Sequence, residues 1–253
     1  MNNIIFNTFR EIIRNKFLSL IIIFALAFII FSISLWKLTI WDDNKIIIDF
    51  WLAMIEIFWL ISVLFVWSQL LFKEIEWKTI FLILSKPIKR YEFILWKFFW
   101  FSLSIFLVFL IQFILFLWVL YFKDIEVTKL IIMSWIFILF KLEILLAIVF
   151  FFSTFMSTIL TIIVSIMVYF LSHSLSIVLD MVIRTKNEIL IFLTKILNIV
   201  FPPFEALNTK DVIWSFSSFS NNFFILNSIY SFVYLSFILF FTIIIFNRKK
   251  FES

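Results

Sequence analysis

The sequence lacks glycine and cysteine altogether, and it is poor in proline and histidine. Its 253 residues include 0 Gly, 0 Cys, 3 Pro and 1 His. Without glycine the chain has no phosphate-cradling P-loop and no dinucleotide-binding fingerprint, so any ATP hydrolysis would come from a partner. Without cysteine there is no disulfide scaffold, and the redox compartment is not indicated. The lone histidine, His173, does not build a metal site by itself.

Apolar and aromatic residues make up most of the chain. The sequence is 65% hydrophobic and 15% charged, and it contains 40 Phe. The core of one soluble domain could not bury so much apolar surface, which excludes a soluble globular protein. A disordered chain would be far more polar. We therefore expect an all-α polytopic membrane protein, with a single domain over residues 1–253 and no cofactor. The net charge of +5 fits loop orientation better than nucleic-acid binding, so no nucleic-acid partner is expected.

Six stretches are long and apolar enough to cross a bilayer as helices. The predicted spans are 17–37, 51–72, 98–122, 130–152, 155–179 and 224–246. The first is too long for a cleavable signal peptide and shows no small-residue cleavage site. The break between the fourth and fifth spans is marked only by Ser and Thr residues, so one long tilted helix is an alternative there.

The basic residues indicate the orientation of the chain. A cytoplasmic N-terminus puts most of the Lys and Arg residues of the short loops on the cytoplasmic side. These residues are Arg10, Arg14, Lys16, Lys73, Lys78, Lys86, Lys89, Arg90, Lys97, Arg248, Lys249 and Lys250. We expect a multi-pass protein of the cytoplasmic (inner) membrane with both termini in the cytoplasm.

Two regions are not predicted to span. Residues 2–15 place apolar and charged side chains at helical spacing, which indicates an amphipathic helix on the cytoplasmic membrane face. Residues 180–223 form the one long extracytoplasmic segment. Its apolar stretch 189–201 is too short to cross and ends at Pro202-Pro203, so we expect a short re-entrant or surface helix.

The cytoplasmic loop 73–100 reads KEIEWKTIFLILSKPIKRYEFILWKFFW. It opens with a polar helical turn and continues as an apolar helix to Leu84. Pro87 then forces an extended residue before it and a turn. A short helix of this kind can dock a soluble partner. The alternative is an ordinary solvated loop with basic anchors.

This loop resembles the signature region of type 2 ABC transporter permeases, the exporter-like group that includes the nitrous-oxide-reductase maturation permease. That family has an acidic pair, a glycine and a threonine after span two, then a Ser-x-Pro-x-x-Arg turn and a Gly-Lys that opens span three. The matching residues here are Glu74, Glu76, Thr79, Ser85, Pro87, Arg90 and Lys97. The resemblance extends to NTFREIIRNKF at 7–17, PPFEALN at 202–208 and FNRKKFE at 246–252.

The resemblance implies a homodimer or heterodimer of six-span subunits that carries two cytoplasmic ABC ATPase subunits. Residues 74–84 would be the coupling helix, 2–15 an elbow helix on the membrane surface, and 187–223 short helices that gate the outer exit. The ATPase-coupling residues would be Glu74, Glu76, Trp77, Lys78, Thr79, Ser85, Pro87 and Arg90. Export is implied, but the substrate is not, and the subunit would have no catalytic residues of its own.

Tryptophan stands where the family would have glycine. The positions include Trp77, Trp96 and Trp100, and also Trp36, Trp41, Trp51, Trp59 and Trp67. We hypothesise that the gene uses UGA for glycine and that its conceptual translation writes tryptophan. Trp96 and Trp100 would then form a small-xxx-small packing face. The alternative is genuine tryptophan in interfacial belts, which suits Trp36, Trp41, Trp51 and Trp118 but not Trp59.

Charged residues inside the predicted spans are candidate functional residues because burying them is costly. Glu56 lies in span two, and Lys141 and Glu143 lie in span four, two residues apart and so on different faces. Lys141 could pair with Glu56 or Glu143, could line a substrate path, or could lie nearer an interface if the span is misplaced. We interpret His173 as a histidine that either has its hydrogen-bonding partners within the protein or lies at the membrane interface. We expect Gln69 and Gln112 to form hydrogen bonds between helices.

Two other functional classes remain as alternatives. A non-ABC channel or scaffold would have the same apolar spans. A membrane-embedded enzyme would need convergent His, Glu, Asp, Cys or Ser groups at one depth, and the sequence offers scattered Ser and a single His.

Overall fold

The computed structural model describes residues 43–68, 89–202, 204–210, 213 and 221–248. Predicted span 17–37, the predicted elbow helix 2–15 and the predicted coupling helix 74–84 lie outside these residues. Within the described part of the chain the structure is all-helical.

Six helices make up the described part. They are α1 (Asp43–Ser62, continued by a π-helical turn Val63–Trp67), α2 (Arg90–Phe122), α3 (Lys129–Ser153), α4 (Thr158–Thr185), α5 (Glu188–Val200) and α6 (Asn221–Arg248). All but α5 are long and apolar enough to cross a membrane. The protein is therefore a multi-pass helical membrane protein.

α1 and α2 begin earlier than the sequence predicts. The predicted spans start at 51 and 98, whereas the helices start at Asp43 and Arg90. In α1 the buried face extends back to Ile47 at helical spacing, and in α2 it extends back to Phe93. With 33 residues, α2 is about 50 Å long and exceeds the hydrocarbon thickness of a bilayer.

The boundary between α3 and α4 is a true break, and the single long helix considered as an alternative is wrong. α3 ends at Ser153 and α4 begins at Thr158. The hydroxyls of Ser153 and Thr154 donate to the carbonyl oxygens of Phe150 and Phe151, each at 2.7 Å. Such local hydrogen bonds compete with the helical ladder, and here they coincide with its end.

α3 is the central helix of the bundle. It contacts α1, α2, α4 and α6, and its side chains are buried almost all round from Lys141 to Phe150. α2, α4 and α6 instead expose many large apolar side chains, as expected for helices that face lipid tails.

α5 is short, with 13 residues, and it packs against α4. The Asn187 side chain caps it by accepting hydrogen bonds from the backbone N–H groups of Ile189 and Leu190. It ends at Val200, and Phe201 then adopts an extended conformation before Pro202. The prediction of a short helix before the two prolines is confirmed.

The start of α2 and the end of α6 lie at the same end of the bundle. The Arg90 guanidinium donates a hydrogen bond to the backbone carbonyl of Asn247 at 3.2 Å. The Phe93 and Phe246 rings stack beside this contact, with centroids 6.1 Å apart. The first turn of α2 and the last turn of α6 are therefore neighbours on one side of the bundle.

Candidate functional site

Glu56 is the centre of a buried group of polar side chains. It lies near the middle of α1, and its side chain is only 5% exposed. Its Oε1 accepts a hydrogen bond from the Lys141 ammonium at 2.8 Å and one from the Tyr169 hydroxyl at 3.2 Å. Its Oε2 accepts from the Lys210 ammonium at 2.6 Å. One carboxylate thus binds two cations inside an apolar bundle.

His173 connects this carboxylate to a second one. Its Nδ1 lies 3.2 Å from Oε2 of Glu205, and its Nε2 lies 4.0 Å from Oε1 of Glu56. We name the six residues Glu56, Lys141, Tyr169, His173, Glu205 and Lys210 the Glu56 cluster.

Four parts of the chain supply the Glu56 cluster. Three are the helices α1, α3 and α4, and the fourth is residues 204–210, which we name the inserted segment. Phe204 in this segment is fully buried, with its ring 5.5 Å from that of Tyr169 and 6.0 Å from that of His173. At the other end Thr209 is buried and its hydroxyl lies 2.9 Å from that of Ser134 on α3. The chain after Pro202 therefore packs among the spanning helices.

The arrangement stabilises the inserted segment through charge. The cluster contains two carboxylates and two ammonium groups, so its charges balance before His173 is counted. Charge-assisted hydrogen bonds in a low-dielectric interior are strong, and an unpaired buried charge is expensive. Moving the segment away would separate Lys210 from Glu56 and would expose polar groups to the apolar bundle.

The predicted intramembrane charges separate into two places. Lys141 pairs with Glu56, and both lie deep within their helices rather than near a span boundary. Glu143 does not join them, because residues two apart on a helix point in different directions. It is buried on another face of α3.

Of the predicted ATPase-coupling residues, only Arg90 lies in the part of the chain that the structure describes. Arg90 begins α2 and contacts the end of α6. The other members of this set lie outside the described residues: Glu74, Glu76, Trp77, Lys78, Thr79, Ser85 and Pro87.

Tyr169, Glu205 and Lys210 belong to the site, although no sequence pattern identified them as candidate site residues. Glu205 lies within the PPFEALN stretch at 202–208, and Lys210 follows that stretch without belonging to any sequence motif. A signal was present in the sequence, because two ionisable residues flank the apolar Leu207 in a stretch that follows a proline pair. Nothing in the sequence specified that this stretch packs beside Glu56.

Tryptophan occupies core positions as well as the surface. The Trp59 side chain is fully buried, and its indole N–H donates a hydrogen bond to Oε1 of Gln112 at 2.5 Å, which joins α1 to α2. Trp51 is also buried and lies against Phe116, with ring centroids 5.6 Å apart. Trp51 therefore does not fit an interfacial belt, whereas Trp118 is exposed as such a belt requires.

No group of three or more His, Asp or Glu side chains among the described residues could hold a metal ion. Neither a protein-family model nor a curated protein matches the sequence.

Proposed function

We propose that this chain is the membrane-spanning permease subunit of an ATP-driven ABC transporter, working as an exporter in the cytoplasmic membrane. The observation that carries the proposal is the residue pattern of loop 73–100, with its acidic pair, threonine, Ser-x-Pro turn and arginine. The chain would form a dimer of six-span subunits and would bind cytoplasmic ATPase subunits through the helix at 74–84.

The ends of the bundle are consistent with this topology. In the sequence, loop 73–88 precedes α2 and the basic residues 249–250 follow α6. The Arg90–Asn247 contact joins the start of α2 to the end of α6 on one side of the bundle. An ATPase seated on that side would contact the loop that resembles the coupling region. Its closure would move α2 and, through packing, α3.

The Glu56 cluster is the part of the proposed transporter that would respond to closure of the ATPase subunits. In the proposed transporter, α5 and the inserted segment close the outer exit, and Lys210 and Thr209 hold that closure against α1 and α3. A movement of α3 relative to α1 would strain the pairing between Lys141 and Glu56. The segment could then separate from the helices in the outward-facing state.

Association with an ATPase is the experimental test. The chain is co-expressed with candidate P-loop ATPases from the genome of its source, and the tagged chain is purified in mild detergent. We expect the ATPase to co-purify with the wild-type chain and to be lost from the double variant Glu74→Ala/Glu76→Ala.

A matched double variant removes the same charge elsewhere. Glu126→Ala/Glu188→Ala alters two carboxylates in the loop before α3 and at the start of α5, and it should retain the ATPase. Equal association of both double variants would refute the coupling role of Glu74 and Glu76. Failure of any ATPase to associate with the wild-type chain would refute the proposed function.

A further inference from the structure

The second buried carboxylate, Glu143, lies apart from the Glu56 cluster and faces a cavity. Only 8% of the residue is exposed, and its Oε2 accepts no hydrogen bond from any residue that the structure describes. The Ser102 hydroxyl on α2 is the polar group that interacts with the carboxyl. An ionised carboxylate in such a place is costly unless a cation compensates it.

The cavity lies where α2, α3 and α6 meet. Its volume is about 390 Å³, which is within the range of small-molecule sites. Five phenylalanines and Glu143 dominate its lining, and we name it the Glu143 cavity. The phenylalanines are Phe98, Phe99, Phe106, Phe140 and Phe232.

A second cavity of about 520 Å³ adjoins the first along α2. The two share Phe98, Phe99 and Ser102, and the second extends to Glu92 near the start of α2. Among the described residues that line either cavity, the charged ones are Glu92 and Glu143, and both are acidic. The surface of α2 between Glu92 and the Glu143 cavity is thus apolar, aromatic and negatively charged.

The rim of the Glu143 cavity faces outward from the bundle. Phe99, Phe106 and Phe232 are all exposed, and in a membrane such side chains contact lipid tails. A ligand that reaches the cavity from the bilayer must therefore dissolve in hydrocarbon. Inside, it meets aromatic faces, which attract cations, and the Glu143 carboxyl, whose ionised form an adjacent cation would stabilise.

We propose that the Glu143 cavity binds a hydrophobic organic monocation, with the positive centre against Glu143 and the apolar groups among the phenylalanines. Charge complementarity selects this occupant over a neutral lipid chain, which would leave the carboxylate uncompensated. As a site for a transported substrate the inference rests on the proposed function, whereas binding itself does not.

The test is saturable binding to the full chain in lipid nanodiscs without any ATPase. The probes are tetraphenylphosphonium and tetraphenylborate, which have the same shape and opposite charge. We expect the wild-type chain to bind the cation at least about tenfold more tightly than the anion, because the anion opposes a buried carboxylate. This comparison needs no variant, so it holds even if a substitution disturbs folding.

Two isosteric variants identify the residue responsible. Glu143→Gln removes the cavity carboxylate and should weaken binding of the cation at least about tenfold. The matched control Glu126→Gln makes the same change at an exposed position in the loop before α3 and should bind as the wild type does. Glu143→Asp keeps the charge and should recover most of the lost affinity.

Several results would overturn the proposal. Equal binding of the two probes by the wild-type chain, or full binding by a folded Glu143→Gln variant, would show that Glu143 does not select a cation and would overturn the proposal. Loss of a dimer on Glu143→Gln, with no binding of the cation to the wild type, would assign it to a second copy of the chain. If the chain binds the cation but no ATPase, the cation site is supported and the proposed function is refuted. If the chain binds an ATPase but not the cation, the proposed function is supported and the cation site is refuted.

Discussion

Glu56 binds two ammonium groups in the interior of the bundle, and this determines what a single substitution does there. Lys141 is almost fully buried, whereas a quarter of the Lys210 side chain is exposed. Loss of the Glu56 charge therefore leaves Lys141 without its anion, while Lys210 can still turn toward a more polar environment.

Glu56→Gln should destabilise the folded protein by about 3 kcal/mol, because a buried charge pair that loses one partner leaves the other uncompensated. Equilibrium unfolding in mixed micelles measures the change. Glu126→Gln, at an exposed site, should shift stability by less than about 0.5 kcal/mol.

A second substitution shows whether loss of the Lys141–Glu56 pair causes the loss of stability. Glu56→Gln/Lys141→Met removes both charges and should recover at least about 1 kcal/mol of the loss. If the double variant is no more stable than Glu56→Gln alone, the Lys141–Glu56 pair does not carry the effect.

The residue identity at the tryptophan positions has structural consequences. With tryptophan at 59, α1 and α2 are joined by the buried indole and its hydrogen bond to Gln112. With glycine there, as the UGA hypothesis implies, neither would exist and the helices could approach more closely.

Peptide mass spectrometry of the protein from its native source tests the hypothesis. The hypothesis predicts glycine at positions 77, 96 and 59. Tryptophan at 77 and 96 would refute it and would leave the Trp59–Gln112 contact as a native feature.

At the scale of single residues, the sequence could identify Glu56, Lys141 and Glu143 because burying a charge in a span is costly. It could also separate Lys141 from Glu143 by their spacing. It could not select Glu56 as the partner of Lys141, or bring in Lys210, because those contacts depend on how distant helices and the inserted segment pack.

Among the elements, the inserted segment is the one that could not be located from the periodicity of the sequence. Residues 204–210 are too short to show a helical or strand period. The buried Phe204, the Thr209–Ser134 contact and the Lys210–Glu56 pair hold the segment at three points. The α5 helix before it was predictable, since a short apolar stretch and two prolines define its length.

A disulfide can report this contact, because the natural sequence has 0 Cys. The double variant Ser134→Cys/Thr209→Cys should crosslink readily under mild oxidation, since the native hydroxyls lie 2.9 Å apart. Protection from alkylation measures the bond. The pair Ser134→Cys/Thr185→Cys, which moves the second thiol to the exposed end of α4, should remain reduced. Equal crosslinking of the two pairs would contradict the position of the segment.

Considered as a whole, the molecule is organised around α3, which carries one charged residue toward each of two sites. Lys141 faces the Glu56 cluster, and Glu143 faces the aromatic cavity between α2 and α6. A shift of α3 would therefore change both places together. In the proposed transporter this links closure of the outer exit to the cavity that would hold the substrate.

The apolar character and the spans from 98 onward could be predicted from composition and length alone, because the bilayer fixes how much apolar helix a crossing needs. The two early helix starts could not, since Asp49 and Lys97 interrupt the apolar runs after Ile47 and Phe93, and neighbouring helices bury these two side chains. The central place of α3 likewise depends on packing.

The central claim is that an ATPase drives movement of the inserted segment. The most direct measurement is the rate of disulfide formation in Ser134→Cys/Thr209→Cys within the purified permease–ATPase complex in nanodiscs. The rate is compared between the nucleotide-free complex and the complex trapped with ATP and vanadate. We predict a clearly slower reaction in the trapped complex, because in the proposed mechanism the segment leaves Ser134 in the outward-facing state. Equal rates in the two states would contradict the account.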